Sequence, residues 1–275
     1  MKKNRYRAIA AALLACLLAL SACQRKSDPG APAPTGTAPA ATDLALQDAT
    51  AAPESTASAA PADDAEDARK AYAAALDDVL QRHVLPDGTD LGFDPNADAS
   101  GNRFAIFDVD ADGREELIVT YASTYTAGQI AAVYDYDAGS RSLRPELSEY
   151  PLLTFYGNGA VKALWSHNQG LAGRFWPFSL YRYDASEDRY VLTGRVDAWD
   201  KQFAGTDAEG NAFPDAVDAS GSGFVYYITE GGGTETVQPV DEAAYLAWYN
   251  THVGDAAELS VPYRALTQES LQQLP

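Results

Sequence analysis

Cysteine is almost absent from this sequence. Its 275 residues include two cysteines, Cys16 and Cys23, and both lie close to the N-terminus. Residues 24–275 therefore cannot form a disulfide with one another, and they offer no thiol for nucleophilic catalysis or for a cysteine-ligated zinc site. A domain folded from these residues must be held together by its apolar core, with or without a bound metal ion.

Basic residues are also scarce. The chain has 20 lysines and arginines against 39 aspartates and glutamates, a formal net charge of −19. Without the four basic residues of positions 1–22 the balance is 16 against 39, or about −23. A charge of this size repels nucleic acid and anionic lipid head groups, so we expect neither as a partner. It favours divalent cations, although solubility alone also accounts for an acidic surface.

Established catalytic motifs are missing from the sequence. It contains no Gly-x-Ser-x-Gly elbow, phosphate-binding loop, dinucleotide fingerprint or His-Glu-x-x-His helix. Of the three histidines, His167 lies in a polar stretch, where it is either a general base beside an acid or an ordinary hydrogen-bonded loop residue. The many acidic residues leave a carboxylate pair for glycoside hydrolysis open as well.

The first 23 residues have the features of an export signal. Four basic residues precede an uncharged apolar run over residues 8–20, which is shorter than the roughly 20 residues that span a bilayer. The following Leu20-Ser21-Ala22-Cys23 resembles the lipobox of bacterial lipoproteins, whose cysteine sulfur receives diacylglycerol before cleavage. We therefore predict a signal peptide over residues 1–22 and lipidation of Cys23. An ordinary secretory signal with an incidental cysteine is the alternative.

The lipid on Cys23 would anchor the mature chain outside the cytoplasm. The predicted location is the outer face of the plasma membrane, or the outer membrane in a Gram-negative host. Residues 24–62 are rich in Ala, Pro, Thr and Ser and contain no aromatic residue. Such a composition buries too little apolar surface to offset its ordering entropy, so we predict a disordered stalk over residues 23–62. A single globular domain is predicted over residues 63–275.

The domain begins with a helical pattern and continues with strand patterns. Tyr72, Leu76 and Val79 recur at helical spacing, which predicts an amphipathic helix. Later segments, such as 117–121 and 130–136, are rich in β-forming residues, and capping residues precede two helical patterns near the C-terminus. We predict an α+β fold with a mostly antiparallel sheet, an N-terminal amphipathic helix and C-terminal helices.

Two segments share the pattern Tyr-x-Tyr-Asp-Ala, at residues 134–138 and 181–185. Each predicts a strand, a polar turn and a second strand. The shared pattern indicates either an internal repeat or two similar hairpins in one sheet. A further hairpin is predicted around the glycines of 231–233, joining residues 224–229 to residues 234–240.

The sharpest motif is Asp108-Val109-Asp110-Ala111-Asp112-Gly113-Arg114-Glu115-Glu116. Acidic residues at loop positions one, three, five and nine, with glycine at six, form a calcium-binding pattern, because calcium takes roughly six to eight oxygen ligands. The predicted ligands are the carboxylates of Asp108, Asp110, Asp112 and Glu116 and the backbone carbonyl of Arg114. Carboxylates held this close repel one another unless a cation or protons neutralise them. The alternative is an acidic turn with its side chains splayed into solvent.

The motif is not an EF-hand, because position twelve is Val119 rather than glutamate and both flanks are strand-like. It resembles the calcium loops of FG-GAP repeats in integrin alpha chains and related bacterial surface proteins, which repeat the motif in every propeller blade. It occurs once here, so a propeller is not predicted. With its lipobox, its stalk and residues 240–271, the chain resembles uncharacterised lipoproteins of Gram-positive gut bacteria. That resemblance implies no known activity.

Two functional hypotheses follow from these patterns. The first is a non-enzymatic, calcium-stabilised envelope domain that binds a surface or extracellular ligand. The second is a hydrolase that acts on envelope or extracellular polymers. The 4 tryptophans and 16 tyrosines form either the core or an exposed binding face. A flat exposed aromatic patch would favour the first hypothesis, whereas a cleft gathering His167 with acids of shifted pKa would favour the second.

Overall fold

The computed structural model describes residues 62–168, 170–233 and 237–274. The predicted signal peptide and nearly all of the predicted stalk lie outside these residues. Among the residues that the structure describes, no helix is long and apolar enough to cross a membrane.

The described chain is α+β, as predicted, with ten β-strands and three α-helices. The helices are α1 (Ala62–Arg82), α2 (Glu242–His252) and α3 (Gln268–Gln272). The strands are β1 (Arg103–Phe107), β2 (Glu116–Tyr121), β3 (Ile130–Asp137), β4 (Ser142–Glu149), β5 (Leu153–Phe155), β6 (Ala160–Leu164), β7 (Phe178–Asp184), β8 (Arg189–Asp200), β9 (Phe224–Glu230) and β10 (Arg264–Ala265). The predicted N-terminal helix and C-terminal helices are therefore confirmed.

The strands form two antiparallel sheets of five strands each. Sheet 1 has the order β10-β1-β2-β3-β4, and sheet 2 has the order β5-β6-β7-β8-β9. One edge of β9 pairs along its whole length with the long strand β8. Of the hairpin predicted around residues 231–233, the structure describes its first strand, β9, and one antiparallel contact on the other edge of that strand. In the described part of residues 234–240, Val240 alone bridges to Tyr226 of β9.

Alternation along the strands assigns the faces of sheet 1. In β2, Leu117 packs with Leu76 and the rest of the apolar stripe of α1, whereas Ile118 points to the opposite face. There Ile118 joins a core that includes Phe155 of β5 and Val161 of β6, so the two sheets pack face to face. Helix α2 covers the outer face of sheet 2. The domain is thus layered as helix, sheet, sheet and helix.

The hairpins β3–β4 and β7–β8 have the same turn geometry. Oδ1 of Asp137 accepts hydrogen bonds from the backbone N–H groups two and three residues later, at 2.8 and 3.4 Å. Oδ1 of Asp184 accepts the equivalent pair at the same two distances. Four residues after each aspartate, Arg141 and Asp188 adopt positive φ angles of 54° and 51°. The shared sequence motif therefore encodes one turn twice.

Each of these hairpins also contains a β-bulge at the same place. The pairing shifts after Val133 in the first hairpin and after Leu180 in the second. The extra residue is Glu146 on β4 and Thr193 on β8, because neither has a partner in the register. One of these hairpins lies in sheet 1 and the other in sheet 2. They are therefore not two hairpins of one sheet, which was one of the two interpretations of the shared pattern.

Candidate metal centre

The loop between β1 and β2 turns its acidic side chains inward. Ala111 and Gly113 adopt positive φ angles of 67° and 92°, which coil the loop tightly. The carboxylate of Asp108 accepts hydrogen bonds from the backbone N–H groups of Ala111, at 2.7 Å, and Gly113, at 3.1 Å. Oδ1 of Asp110 accepts one from the N–H of Asp112 at 3.0 Å. The backbone of the loop therefore holds these carboxylates in place.

Three carboxylates of this loop converge, and we term them the loop site: Asp108, Asp110 and Glu116. One oxygen of each lies within 4.8 Å of an oxygen of the other two. Oε2 of Glu116 accepts a hydrogen bond from Val109 at 2.8 Å, whereas Oε1 is buried and accepts none from the described residues. Oδ2 of Asp110 is buried and without a donor in the same way. Leaving a buried carboxylate oxygen unpaired is costly, and a metal ion held by the three carboxylates would give both oxygens a partner.

The remaining predicted ligands lie differently. Asp112 is not part of the convergent group, because its carboxylate accepts hydrogen bonds from the backbone N–H and from Nε of Arg114, at 2.7 and 2.8 Å. The structure thus brings together three of the four predicted carboxylates. The guanidinium of Arg114 reaches across to other acids, and a ligand role for its backbone carbonyl stays a prediction.

A second group of acids lies beside the loop site. It comprises Asp135 of β3, Glu146 of β4 and Asp188 in the turn between β7 and β8, with one carboxylate oxygen of each within 4.8 Å of the others. We term it the cross-sheet cluster, because it joins sheet 1 to sheet 2. Glu146 is 5% exposed, and neither of its carboxylate oxygens accepts a hydrogen bond within the described chain.

The bulge in β4 explains how Glu146 reaches this position. Its neighbours Pro145 and Leu147 pair with consecutive residues of β3, so Glu146 is the extra residue between them. A bulge locally bends its strand and re-aims the extra side chain. Here it directs a carboxylate toward Asp135 and Asp188 in the interior of the domain.

Unpaired buried polar atoms concentrate at this place. Eight buried side-chain atoms in the described ranges have no hydrogen-bond partner, and six of them belong to five residues around the two acidic groups. These residues are Asp110, Glu116, Asp135, Glu146, which contributes both of its oxygens, and Tyr190. Among these atoms, Oδ2 of Asp135 has an ion-pair partner, Nη1 of Arg114 at 2.8 Å. Folded proteins leave few such groups unpaired, so their concentration marks the site.

Two arginines balance part of the negative charge. Nη1 of Arg114 lies 2.8 Å from Oδ2 of Asp135, and Nη2 lies 3.0 Å from Oδ1 of Asp188. Arg144 is ion-paired with Asp188, and its Nη2 lies 3.5 Å from Asp135 and 3.8 Å from Oε1 of Glu146. Arg114 also pairs with Asp112 at 2.7 Å. Within the cross-sheet cluster the arginines pair mainly with Asp135 and Asp188, and they leave Glu146 with the weakest contact.

Burial and mutual repulsion raise the pKa values of the unpaired acids. The pKa of Glu116 rises to about 10, chiefly through burial and then through the charge of Asp110. Burial, followed by the charges of Asp110 and Asp135, raises the pKa of Glu146 to about 9. Burial and the neighbouring Asp112 raise the pKa of Asp110 to about 7. Raised pKa values of this kind favour the protonated form of Glu116 and Glu146 at neutral pH, and a bound cation would favour the ionised form instead.

The cross-sheet cluster was not predicted from the sequence. Asp135 stands between two tyrosines of a buried strand, and Glu146 interrupts a strand next to Leu147. A charged residue inside a strand pattern is the signal that could have drawn attention to both. Asp188 carries no such signal, because an aspartate in a polar turn is ordinary.

Neither His167 nor an aromatic patch belongs to this site. Gly159, which immediately precedes β6, lies against the backbone of Asp110. His167 follows the opposite end of that strand, and its Nδ1 lies 2.6 Å from Oγ of Ser166. Trp199 and many tyrosines are core residues, whereas Trp176 is largely exposed. The cleft of His167 with acids that would favour a hydrolase is therefore not formed at the candidate metal centre.

Comparisons with known proteins add no further residues to this site. No protein-family model, curated protein or solved structure matches the chain. The candidate metal centre is therefore defined by its own geometry, in which two groups of three carboxylates could each hold a metal ion.

Proposed function

We propose that this chain is a lipid-anchored cell-envelope protein whose domain binds calcium at the loop site. The calcium ion stabilises a non-enzymatic domain that binds a surface or extracellular ligand. The observation that carries the calcium proposal is the pair of buried, unpaired oxygens, Oδ2 of Asp110 and Oε1 of Glu116. A divalent cation between them would satisfy both oxygens and remove the repulsion between their carboxylates.

The chemistry of the ligands supports calcium over other metals. The side chains of the loop site are all carboxylates, and hard oxygen ligands suit calcium and magnesium rather than zinc or copper. Magnesium demands stricter octahedral geometry and gives up its water reluctantly, whereas calcium tolerates irregular loops. Gly113, at loop position six, adopts a positive φ of 92°, which suits the sharp turn that calcium loops make at that position.

The alternative, a hydrolase of envelope or extracellular polymers, has less support from the site. An acid that transfers protons to a polymer must be reachable by that polymer. Glu116 and Glu146 are buried, and neither lines the cleft of about 460 Å³ between α1 and the loop. Raised carboxyl pKa values are also expected of metal ligands before they bind their ion.

Calcium should raise the melting temperature of the full-length chain after it has been purified in detergent and stripped with a chelator. A cation that binds only the folded state stabilises it by about 2.7 kcal/mol at a hundredfold excess over Kd. For a domain of this size the corresponding shift is about 5–10 °C. Magnesium at the same concentration should give a smaller shift.

Two adjacent glutamates provide a matched control. Glu116→Gln removes a ligand charge while keeping the side-chain shape, so this variant should lose most of the calcium-induced shift. Glu115→Gln should keep the shift, because Glu115 is exposed and pairs with Arg69 at 3.1 Å on the outside of the loop. Equal calcium responses in the two variants would overturn the loop site.

The lipid anchor is tested separately, because Cys23 lies outside the described residues. Cys23→Ser removes the sulfur that would receive the diacylglycerol. The variant should leave the detergent-rich phase on phase partitioning, whereas the parent should remain in it. If both proteins fractionate with membranes to the same extent, the proposed anchor is wrong.

A further inference from the structure

We propose that the cross-sheet cluster of Asp135, Glu146 and Asp188 is a second cation site, which binds a further calcium ion beside the one at the loop site. The proposal extends the calcium function proposed above. Its test distinguishes the failure of the second site from the failure of both sites.

The spacing of the three carboxylates suits one calcium ion. Calcium–oxygen distances of about 2.3–2.6 Å place two ligands of the same ion at most about 5 Å apart. One oxygen each of Asp135, Glu146 and Asp188 lies within 4.8 Å of the other two. The three ligands come from two strands of sheet 1 and from a turn of sheet 2, so the ion would tie the sheets together.

Glu146 is the independent observation that points to a ligand. Its side chain is fully buried, and both of its oxygens lack a hydrogen-bond donor among the described residues. The nearest cationic group, Nη2 of Arg144, lies 3.8 Å from Oε1, which is beyond hydrogen-bonding distance. A carboxylate aimed by a bulge into a buried acidic cluster, with no donor to receive it, fits a metal ligand better than a structural residue.

The balance of charge also favours a second cation. Seven carboxylates face two guanidinium groups, those of Arg114 and Arg144. The carboxylates are those of Asp108, Asp110, Asp112, Glu116, Asp135, Glu146 and Asp188. With all seven carboxylates ionised, one divalent cation at the loop site leaves a formal charge of about −3, and a second reduces it to about −1. Four of these carboxylates, those of Asp110, Glu116, Asp135 and Glu146, are buried, where unbalanced charge is strongly disfavoured.

The second ion has a route to its site. A cleft of about 430 Å³ is lined by Arg114, Asp135, Arg144 and Asp188 and opens to solvent at the cross-sheet cluster. About a third of the Arg144 side chain is exposed, so its guanidinium can turn outward when an ion takes its place. The second site should therefore bind more weakly than the loop site, because the ion competes with Arg144.

The number of calcium ions bound per chain tests the proposal. The full-length chain in detergent, stripped with chelator, is titrated with calcium and followed by calorimetry and by equilibrium dialysis with radioactive calcium. We expect two ions per chain for the parent and one for Glu146→Gln. The matched control is Glu187→Gln, which removes a charge from the same turn as Asp188 but pairs outside the cluster with Arg189, and it should still bind two.

Each outcome decides the matter. One ion per parent chain overturns the second site and leaves the loop site standing, and no bound ion overturns both. If Glu146→Gln still binds two ions, Glu146 is not a ligand and the proposal is overturned. If Glu146→Gln binds none, Glu146 is a ligand of the ion at the loop site, which also overturns the proposal. Should Glu146→Gln fail to fold, Asp188→Asn replaces it, since this residue lies in a turn, and it should bind one ion.

Discussion

Sheets 1 and 2 contain the same meander of four strands, but they join their first two strands differently. In sheet 1 the last paired residues of β1 and β2 are Phe107 and Glu116, and the acidic loop of residues 108–115 joins them. In sheet 2 Phe155 of β5 pairs with Val161 of β6, and residues 156–160 lie between them. In the shorter connection Asn158 accepts a hydrogen bond from the N–H of Ala160 at 3.1 Å, and no carboxylate is needed. The longer acidic loop is therefore not required to join two such strands.

The following hairpins repeat the contrast. Their backbones match, yet the bulge carries Glu146 in the first and Thr193 in the second. The strand position occupied by Asp135 in the first hairpin is occupied by Arg182 in the second, as the aligned Tyr-x-Tyr-Asp-Ala motifs show. The two hairpins therefore have the same backbone with different side chains at these positions. The acids of the candidate metal centre are not required by the hairpin backbone.

The largest effect is expected when the connection of sheet 1 is replaced by that of sheet 2. Replacing residues 108–115 with the sequence of residues 156–160 should give a chain that still folds, because β5 and β6 pair across that turn. The variant should bind one calcium fewer than the parent and lose about 2.7 kcal/mol of calcium stabilisation at a hundredfold excess over Kd. In chelator the variant should still fold cooperatively but melt at a lower temperature than the parent, because the exchange removes not only repelling carboxylates but also Arg114, the ion-pair partner of buried Asp135.

Calorimetric melting with calcium and with chelator measures both effects of the exchange. A variant that is unfolded in chelator while the parent remains folded would show that the acidic loop is needed by the fold. The separation of fold and metal centre would then be wrong.

The pH dependence of stability gives a smaller effect. The pKa values of Asp110, Glu116 and Glu146, about 7, 10 and 9, lie above the ordinary carboxyl range, so the folded apo protein holds more protons than the unfolded chain. Stability from these groups is present at low pH and is lost as the pH rises toward those values. In chelator the melting temperature should therefore fall between pH 5.5 and 8.5.

Calcium should reduce this fall in melting temperature, because it replaces the protons. In chelator, the melting temperature of Glu116→Gln should fall less over the same pH range than that of the parent. Acids of lowered pKa, such as Asp188, make stability rise with pH, but they do so at pH values below this range of pH 5.5 to 8.5. A melting temperature in chelator that rises across the window would contradict the assignment of buried, protonated acids.

The smallest predicted effect concerns the two turns. Asp137→Ala and Asp184→Ala each remove the oxygen that accepts two hydrogen bonds from backbone N–H groups of the turn. Each variant should lose about 1 kcal/mol of unfolding free energy in chelator, measured by urea denaturation. Losses that differ by more than about 1 kcal/mol would show that the turns are not equivalent.

Sequence patterns predicted those elements whose structure depends on residues that are close together in the chain. The apolar stripe of α1, the alternation in β2 and β3, and the turn residues of the Tyr-x-Tyr-Asp-Ala hairpins all depend on neighbours within a few residues. The acidic loop could be predicted for the same reason, because Asp108, Asp110 and Glu116 lie within one turn-forming stretch. The structure confirms the helix, the strands and the hairpins, and it brings these three carboxylates together.

The parts that could not be predicted depend on pairing across the chain. Glu146 reaches the site through a register shift between two strands, and Asp188 reaches it because sheet 2 packs on sheet 1. Neither event leaves a local pattern in a single sequence. The pairing of β9 with β8 was not predicted for the same reason, because the two strands are separated by more than twenty residues that carry no strand pattern.

Calcium at the loop site can be seen directly in a crystal structure of the protein grown with calcium, by means of an anomalous difference map. We expect a peak between Asp108, Asp110 and Glu116, with carboxylate oxygens about 2.3–2.6 Å from it. The peak should be absent from crystals of Glu116→Gln and present in crystals of Glu115→Gln. A well-ordered loop that shows no anomalous peak in millimolar calcium would contradict the claim and reduce the loop to a set of buried, protonated acids.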